Sequence, residues 1–284
     1  MDVEKIINDI NSLEPVSQVE NKVMEIISKQ DSTINEIVDI IKYDQAMTAN
    51  LLRICNSALF GLSKEIVSIK QAVAYLGIDK VASLVMVGKH GKNFEKAHSG
   101  YDLEDGALWR YSVSSALIAQ DLAEKRQVEN VAMLFTSALL KDIGKVVLNT
   151  YMHDAFNQVQ AKVQNENLTF IEAEKAVLGI DHAELGAMVA ENWNFNQATV
   201  DIIKYHHNPD QAAPDDLTLP IIYLADSICM MIGIGVGADG LAYRYHQDIV
   251  DRLNFSDIDL QLTIAEFWEK LKSIEELVQL SGGN

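Results

Sequence analysis

Helix start signals recur along the whole chain, and they constrain the fold more than any other feature. In a capping box, a short polar residue precedes the helix and a Glu or Gln follows three residues later. Such pairs stand before apolar helical patterns at four places: Thr33 with Glu36, Ser68 with Gln71, Thr169 with Glu172, and Asp181 with Glu184. No stretch of useful length alternates between apolar and polar residues, as a half-buried strand would. The sequence therefore predicts an all-α fold.

The length of the chain allows one large or two modest domains, since 284 residues can bury a sizeable core. Residues 88–106 lose the helical periodicity and gather glycine and charge, which is typical of a connection. We predict an N-terminal helical lobe over residues 1–90, a connection over 91–106, and a second helical lobe with C-terminal helices over 107–284.

The charge excludes several classes of partner. The chain has 23 basic and 41 acidic residues, a net charge of −18, and such a surface repels nucleic-acid backbones and anionic lipids. Residues 1–10 have no apolar signal-peptide centre. The apolar run 220–237 contains Asp226 and is short for a membrane span, so it predicts a buried core helix. We expect a cytoplasmic protein that binds neither nucleic acid nor membrane.

The cysteines and tryptophans favour structural roles. Cys55 and Cys229 lie far apart within apolar runs, which is typical of buried thiols rather than of a disulfide framework. Trp109, Trp193 and Trp268 fall on or beside apolar helical faces. We interpret them as core or interface residues.

Two carboxylates fall where burial is expected. Asp142 follows the apolar run 132–140, and Asp226 lies within the segment IIYLADSI. A buried carboxylate is costly unless it is paired or bound to a metal. The residues alone leave two interpretations of Asp142 open: a metal ligand, or a helix cap and partner of Lys141 or Lys145.

Three histidines offer nitrogen ligands. His182 stands at a predicted helix start, and the adjacent His206 and His207 precede Pro209 near a predicted helix end. Imidazoles combined with carboxylates suit zinc, iron or manganese. The spacing also permits a plainer interpretation, in which His182 is a surface residue and the pair interacts with the last carbonyls of its helix.

The N-terminal half carries the most specific pattern. The segments YDQAMTANLLRICNSALFG (43–61) and VSIKQAVAYLGIDKV (67–81) resemble the HDOD domain, which typically shows D-P-x-L-x-x-x-L-L-x-x-x-N-S-x-x-F and then S-I-x-x-A-x-x-x-L-G. The matching residues are Asp44, Leu51, Leu52, Asn56, Ser57, Phe60, Ser68, Ile69, Ala72, Leu76 and Gly77. Gln45 replaces the usual proline, and LEPVSQV (13–19) is a divergent form of the LPxLP opening. The motif order fits over residues from about 10 to 210, so one continuous HDOD domain is the alternative to two lobes.

HDOD domains are similar to the HD and HD-GYP metal-dependent phosphohydrolases, whose ligands follow the order His, His-Asp, His, His-His, Asp. The resemblance therefore implies a multi-helix, HD-domain-like bundle. It places those ligand positions at Tyr111, Lys141 with Asp142, His182, His206 with His207, and Asp226.

The two departures from that order affect the same metal. The resemblance implies that one ion has lost its ligands at Tyr111 and Lys141 and keeps Asp142 and Asp226. The second ion keeps all of its positions, which are Asp142, His182, His206 and His207. In one outcome a single ion, Zn, Fe or Mn, remains; in the other the site holds no metal and the Lys141 ammonium neutralises the two aspartates.

The resemblance implies a non-catalytic signal-transduction or regulatory protein that acts through protein–protein contacts, with oligomerisation left open. The alternative is a metal-dependent phosphohydrolase or phosphodiesterase with one residual metal. In that alternative Asp142 is catalytic and Lys145 or Lys141 binds phosphate. A third possibility is a helical domain that binds a small anionic ligand without turnover.

Overall fold

The computed structural model describes residues 33–42, 45–56, 66–78, 97–129, 131–193, 195–235 and 246–281, with shorter pieces at 5–6, 22–23, 80–81, 84–85, 237–238 and 240. The regular structure of this part is helical, apart from an isolated β-bridge between His98 and Leu103. The predicted all-α fold is confirmed. None of the described helices is long and apolar enough to cross a membrane.

Three helices are described in the N-terminal part: α1 (Ile34–Ile41), α2 (Gln45–Cys55) and α3 (Ile69–Leu76). Both α1 and α2 pack against α3. Their buried side chains form a hydrophobic cluster that is separate from the core of the second half. The lobe boundary at residues 91–106 stays a prediction.

Asn56, one of the HDOD-type motif residues, fixes the chain that leads into α3. Its amide nitrogen donates to the Ile66 carbonyl at 2.7 Å, and its amide oxygen accepts from the Ile66 backbone N–H at 2.7 Å. One side chain thus satisfies both backbone groups of Ile66. Asp44, Ser57 and Phe60 of the same motif lie outside the described residues.

The second half contains the longer helices, which are α4 (Ala107–Lys125), α5 (Val131–Leu140), α6 (Ile143–Glu166), α7 (Phe170–Leu178), α8 (His182–Asn192), α9 (Gln197–Tyr205), α10 (Thr218–Met231), α11 (Gln247–Arg252) and α12 (Asp257–Ser281). Helix α4 packs against α5, α10 and α12, while α6 packs against α7 and α8. These contacts bury one large hydrophobic core. The predicted core helix over the apolar run near Asp226 corresponds to α10, which is largely buried.

The predicted start signals begin helices, but two of them form only half of a capping box. At Thr33 and Thr169 both reciprocal hydrogen bonds are present. At Ser68 and Asp181 the cap side chain accepts the backbone N–H three residues on, without the reverse bond. At the second of these the Glu184 carboxylate pairs with a lysine of α7 instead. The first half of the box is therefore sufficient to begin these helices.

Two glycines let α6 and α8 approach backbone to backbone. A Cβ at Gly144, in the first turn of α6, would overlap the carbonyl oxygen of His182. A Cβ at Gly186 would lie 3.1 Å from Ile203 Cγ2 and 3.3 Å from the Gly144 nitrogen. The glycine of LLKDIGK (139–145) is thus required by packing, and the close approach brings the end of α5 beside the start of α8.

Candidate metal and ion-pair site

The predicted site residues lie at helix ends and on helix faces that meet inside the second half. Asp142 occupies the N-cap position of α6, His182 is the first residue of α8, and His206 follows the last residue of α9. Tyr111 and Asp226 lie within α4 and α10. All five side chains are buried. The fold therefore gathers residues that are widely separated in sequence.

Lys141 connects the two aspartates. Its ammonium nitrogen forms an ion pair with the Asp142 carboxylate and lies 2.5 Å from Asp226 Oδ1. Lys145 Nζ lies 2.7 Å from Asp142 Oδ1. Asp142 makes no capping hydrogen bond to α6, although it stands at the N-cap. Asp142 is thus a partner of both lysines, and its role as a metal ligand stays a prediction.

Tyr111 completes the ion-pair cluster. Its hydroxyl donates to Asp226 Oδ1 at 2.5 Å, and its ring centroid lies 4.4 Å from Lys141 Nζ. The ring face attracts the ammonium, because the π-system is negative there. Tyr111 and Lys141 therefore contact each other and the same aspartate.

The charges of this cluster balance without a metal. Burial by itself would raise the pKa of Asp142, but Lys141 and Lys145 outweigh it and hold that pKa well below its usual range. For Asp226 burial is likewise outweighed, mainly by Lys141, and the pKa is lowered. Burial opposes the charge of Lys141, yet the two aspartates raise its pKa. Two ammonium groups thus face two carboxylates in a dry interior.

The three histidines converge beside Asp142. His182, His206 and His207 each offer a ring nitrogen, and these atoms lie within 4.8 Å of one another. His182 Nε2 lies 3.0 Å from His207 Nε2. Asp142 Oδ1 is 3.7 Å from His182 Nε2 and 4.0 Å from His206 Nε2. The alternative of a surface position for His182 is wrong, because this side chain is buried.

Two of these imidazoles are held in one orientation by their second nitrogen. His182 Nδ1 lies 2.7 Å from Glu174 Oε2, and His206 Nδ1 lies 2.7 Å from the Ile203 carbonyl oxygen. Both partners are acceptors, so each Nδ1 carries a proton. Both Nε2 atoms then point toward the cluster, which is the arrangement that metal-binding histidines usually show.

Glu174 is the site residue that the sequence analysis missed. It is fully buried in α7 and also accepts the His182 backbone N–H at 3.0 Å. Burial alone would lower the pKa of His182, but the Glu174 carboxylate outweighs it and raises that pKa. A signal was present: Glu174 is four residues from both Phe170 and Leu178, on the buried face of its helix.

The nitrogen atoms of the cluster fit one transition-metal ion. His206 Nε2 is buried and makes no hydrogen bond within the described part of the chain, which leaves a costly lone pair. At this short distance one proton must lie between the facing nitrogens of His182 and His207, since two lone pairs would repel each other. An ion bound to both nitrogens would replace that proton. Burial lowers the pKa of His206 and His207 well below the usual range, so both are neutral, the form that binds metals. Asp142 offers a carboxylate oxygen alongside these three nitrogens.

A cavity of about 470 Å³ opens onto the histidines. His182 and His207 form part of its wall, together with two lysines, Lys175 and Lys204, and three acidic residues, Glu172, Asp181 and Glu184. This volume is in the range of small-molecule sites. Lys141 does not line the cavity. The histidine cluster is therefore accessible to a small molecule, whereas the Lys141 ion pairs are closed off.

Comparison with known families decides the classification. The model of the HDOD domain matches residues 13–209, well over half of the chain. The chain belongs to the HDOD family. The similarity over residues from about 10 to 210 that was expected from the motifs is confirmed.

Solved structures of similar proteins share the fold of this HDOD protein, and a sequence relative matches part of the chain. A Geobacter sulfurreducens HDOD domain protein of unknown function is 26% identical, has a TM-score of 0.75, and covers 99% of both chains. A candidate phosphohydrolase from Shewanella amazonensis SB2B is 22% identical, with a TM-score of 0.71, covering 96% of this chain and 97% of its own. An uncharacterized Treponema pallidum (strain Nichols) protein is 26% identical over 200 residues, 69% of this chain, and the chain spans only 38% of that relative's length.

Proposed function

We propose that this HDOD protein is a non-catalytic regulatory protein that acts in signal transduction through protein–protein contacts. The observation that supports this most directly is the position of Lys141, whose ammonium pairs with both Asp142 and Asp226. A tethered cation thus takes the charge-neutralising role that the resemblance assigns to the first metal ion.

The electrostatics argue against adding that ion beside Lys141. A divalent cation about 4 Å from an ammonium is repelled by about 8 kcal/mol at an effective dielectric constant of about 20. The carboxylates that would offset this repulsion already have Lys141, Lys145 and Tyr111 as partners. Two-metal hydrolysis needs both ions to hold the attacking and leaving oxygens. We infer that this chemistry is lost.

The histidine cluster supports a single ion in a structural role. His182, His206 and His207, with Asp142, would hold zinc, iron or manganese. When bound, such an ion can polarise a phosphoryl oxygen or lower the pKa of a water molecule. We assign this ion neither of these catalytic roles. It would only hold its ligands, and the helices that carry them, together.

The decisive experiment measures turnover and metal content on the same protein. We expect no hydrolysis of cyclic dinucleotides or nucleotides in Zn²⁺, Mn²⁺ or Fe²⁺, and at most one tightly bound ion per chain. The matched variant Tyr111→His with Lys141→His restores the ligand types of the related enzymes and should bind a second ion. Turnover by the unaltered protein that His206→Ala with His207→Ala abolishes would overturn the proposal.

A single-metal phosphohydrolase is the second candidate, favoured by the cavity that borders His182 and His207. This candidate is weakened because the lysines expected to bind phosphate, Lys141 and Lys145, are not accessible. Lys141 and Lys145 are at most 2% exposed and are paired with the aspartates, so neither can meet a phosphate without breaking those pairs. A phosphate held instead by Lys204 is the form of this candidate that the cavity permits, because Lys175 is already paired with Glu184.

The proposed setting is the bacterial cytoplasm, with a separate protein as the partner. The net charge of −18 supports a partner that presents a basic surface, because opposite potentials steer and orient association.

A further inference from the structure

The two oxygens of the Asp142 carboxylate face different partners. Lys141 donates a hydrogen bond to Oδ2 and also forms an ion pair with Asp226. Oδ1 lies 3.7 Å from His182 Nε2 and 4.0 Å from His206 Nε2. Oδ1 is therefore the oxygen on the side of the histidine cluster.

Lys145 contacts this same oxygen from the first turn of α6. Its ammonium nitrogen lies 2.7 Å from Asp142 Oδ1, and both side chains are buried. The ion pair lacks the alignment of a hydrogen bond, and Oδ1 accepts no hydrogen bond within the part of the chain that the structure describes. Lys141, in contrast, combines its hydrogen bond to Oδ2 with the second ion pair. Of the two lysines, Lys145 has the weaker hold on the carboxylate.

A metal ion on the histidine cluster would draw on the oxygen that Lys145 contacts. The three imidazoles supply three of the four ligands that zinc prefers, and Asp142 Oδ1 is the anionic ligand beside them. Two cations that share one oxygen repel each other, and in a dry interior little water screens that repulsion. The ion and the Lys145 ammonium would therefore compete for Oδ1.

Lys145 has a second place for its charge. Its ammonium nitrogen lies 5.8 Å from the ring centroid of Tyr101 and 5.6 Å from that of Tyr111. An aromatic ring attracts an ammonium over its face within about 6 Å. Rotation of the lysine side chain can thus move the ammonium away from Oδ1 and keep it near these rings. Lys141 differs, because two carboxylates hold its ammonium at once.

We propose that Lys145 sets the metal affinity of the histidine cluster by competing with the ion for Asp142 Oδ1. Lys145 holds this oxygen when no ion is bound, and gives it up and turns toward Tyr101 and Tyr111 when one is. Occupancy of the site then follows the supply of the ion. The inference rests on the proposed function, which assigns one ion to this cluster, and deepens it by naming the residue that makes the site responsive to metal.

The variant Lys145→Met tests the competition, because methionine has a similar length and no charge. Zn²⁺ affinity is measured on the full chain at neutral pH, by titration against a chelator of known affinity. We expect the variant to bind Zn²⁺ at least about tenfold more tightly than the unaltered protein, equivalent to about 1.4 kcal/mol. Its folding stability should fall at the same time, because Asp142 loses a buried partner. A lysine that merely supported the site would give the opposite change in affinity.

Two further variants serve as controls. Lys204→Met removes the same charge from an exposed position on the cavity wall, and it should change the affinity by less than about threefold because water screens that charge. Lys145→Gln keeps a neutral donor for Oδ1, so its affinity should fall between those of the methionine variant and the unaltered protein. The glutamine variant also provides the test if the methionine variant does not fold.

Three results would overturn the inference. Unchanged or weaker Zn²⁺ binding in the Lys145 variants would mean that this lysine does not compete with the ion. An equal gain in Lys204→Met would mean that net charge alone sets the affinity. The third result is an absence of Zn²⁺ binding from the unaltered protein and from both Lys145 variants. None of these results bears on catalysis, so the turnover experiment remains a separate test of the proposed function.

Discussion

Replacing Lys141 with methionine removes the ammonium that holds Asp142 and Asp226 together. Methionine has a similar length and leaves little empty space, so the effect is chiefly electrostatic. Asp142 keeps Lys145 as a partner, and Asp226 keeps the Tyr111 hydroxyl. Both carboxylates are about 1% exposed, so water cannot replace the lost partner.

The expected loss is large because breaking a buried pair leaves an uncompensated charge. Such a break typically costs about 3–5 kcal/mol, against a total stability of about 5–15 kcal/mol for a domain. Lys162→Met is the matched control, since its ion pair with Glu166 lies at the surface and is worth less than about 1 kcal/mol. Urea unfolding followed by circular dichroism measures both variants.

The pH dependence gives a second check on the cause. Without Lys141, burial raises the pKa of folded Asp226 above its unfolded value, so the folded variant binds a proton more readily and gains stability as pH falls. The difference in free energy of unfolding between the Lys141→Met variant and the unaltered protein should therefore become smaller from pH 7 to pH 5. Adding Asp226→Asn should recover about 2 kcal/mol or more. A loss below about 1 kcal/mol at pH 7, or no recovery in the double variant, would refute the electrostatic argument.

Four further outcomes are expected. Gly144→Ala should cost about 2–3 kcal/mol, seen as a lower melting temperature, because backbone rather than a side-chain tip blocks the new methyl group; an unchanged melting temperature would contradict the close approach of α6 and α8. The metal-free protein should lose stability as pH falls below about 6.5, because His206 and His207 take up protons there in the unfolded state but not in the folded state. In the variant His206→Asn with His207→Asn, the free energy of unfolding should depend less on pH in this range. Zn²⁺ binding should release protons, measured by calorimetry in buffers of different ionisation enthalpy, and no buffer dependence would argue against the shared histidine proton. Native Cys229 should resist thiol reagents, because burial raises the pKa of its thiol, and should react in urea.

The sequence predicted the helices well because their start signals are local. Thr33 and Thr169 each need only a glutamate three residues on, which sequence alone displays. The outcome for Asp142 was different. A neighbouring lysine shows that an ion pair is available but does not show where its side chain points. That depends on α10, which brings Asp226 to the same ammonium.

Glu174 shows a second limit of sequence reasoning. Its place on the buried face of α7 can be read from the helical period, but its partner cannot, because the turn between α7 and α8 sets which backbone and ring it meets. The motif resemblance supplied the candidate ligands but no such supporting carboxylate. Interactions that hold a ligand in place depend on tertiary contacts more than the ligand identities do.

The Lys141 ammonium differs from a metal ion in that it can never dissociate from the chain. A bound ion stabilises a fold by mass action, so its contribution rises and falls with the free concentration of that ion. A covalently attached cation is always present at a high effective concentration. Chelators therefore cannot remove the Lys141 link between Asp142 and Asp226, and only mutation can.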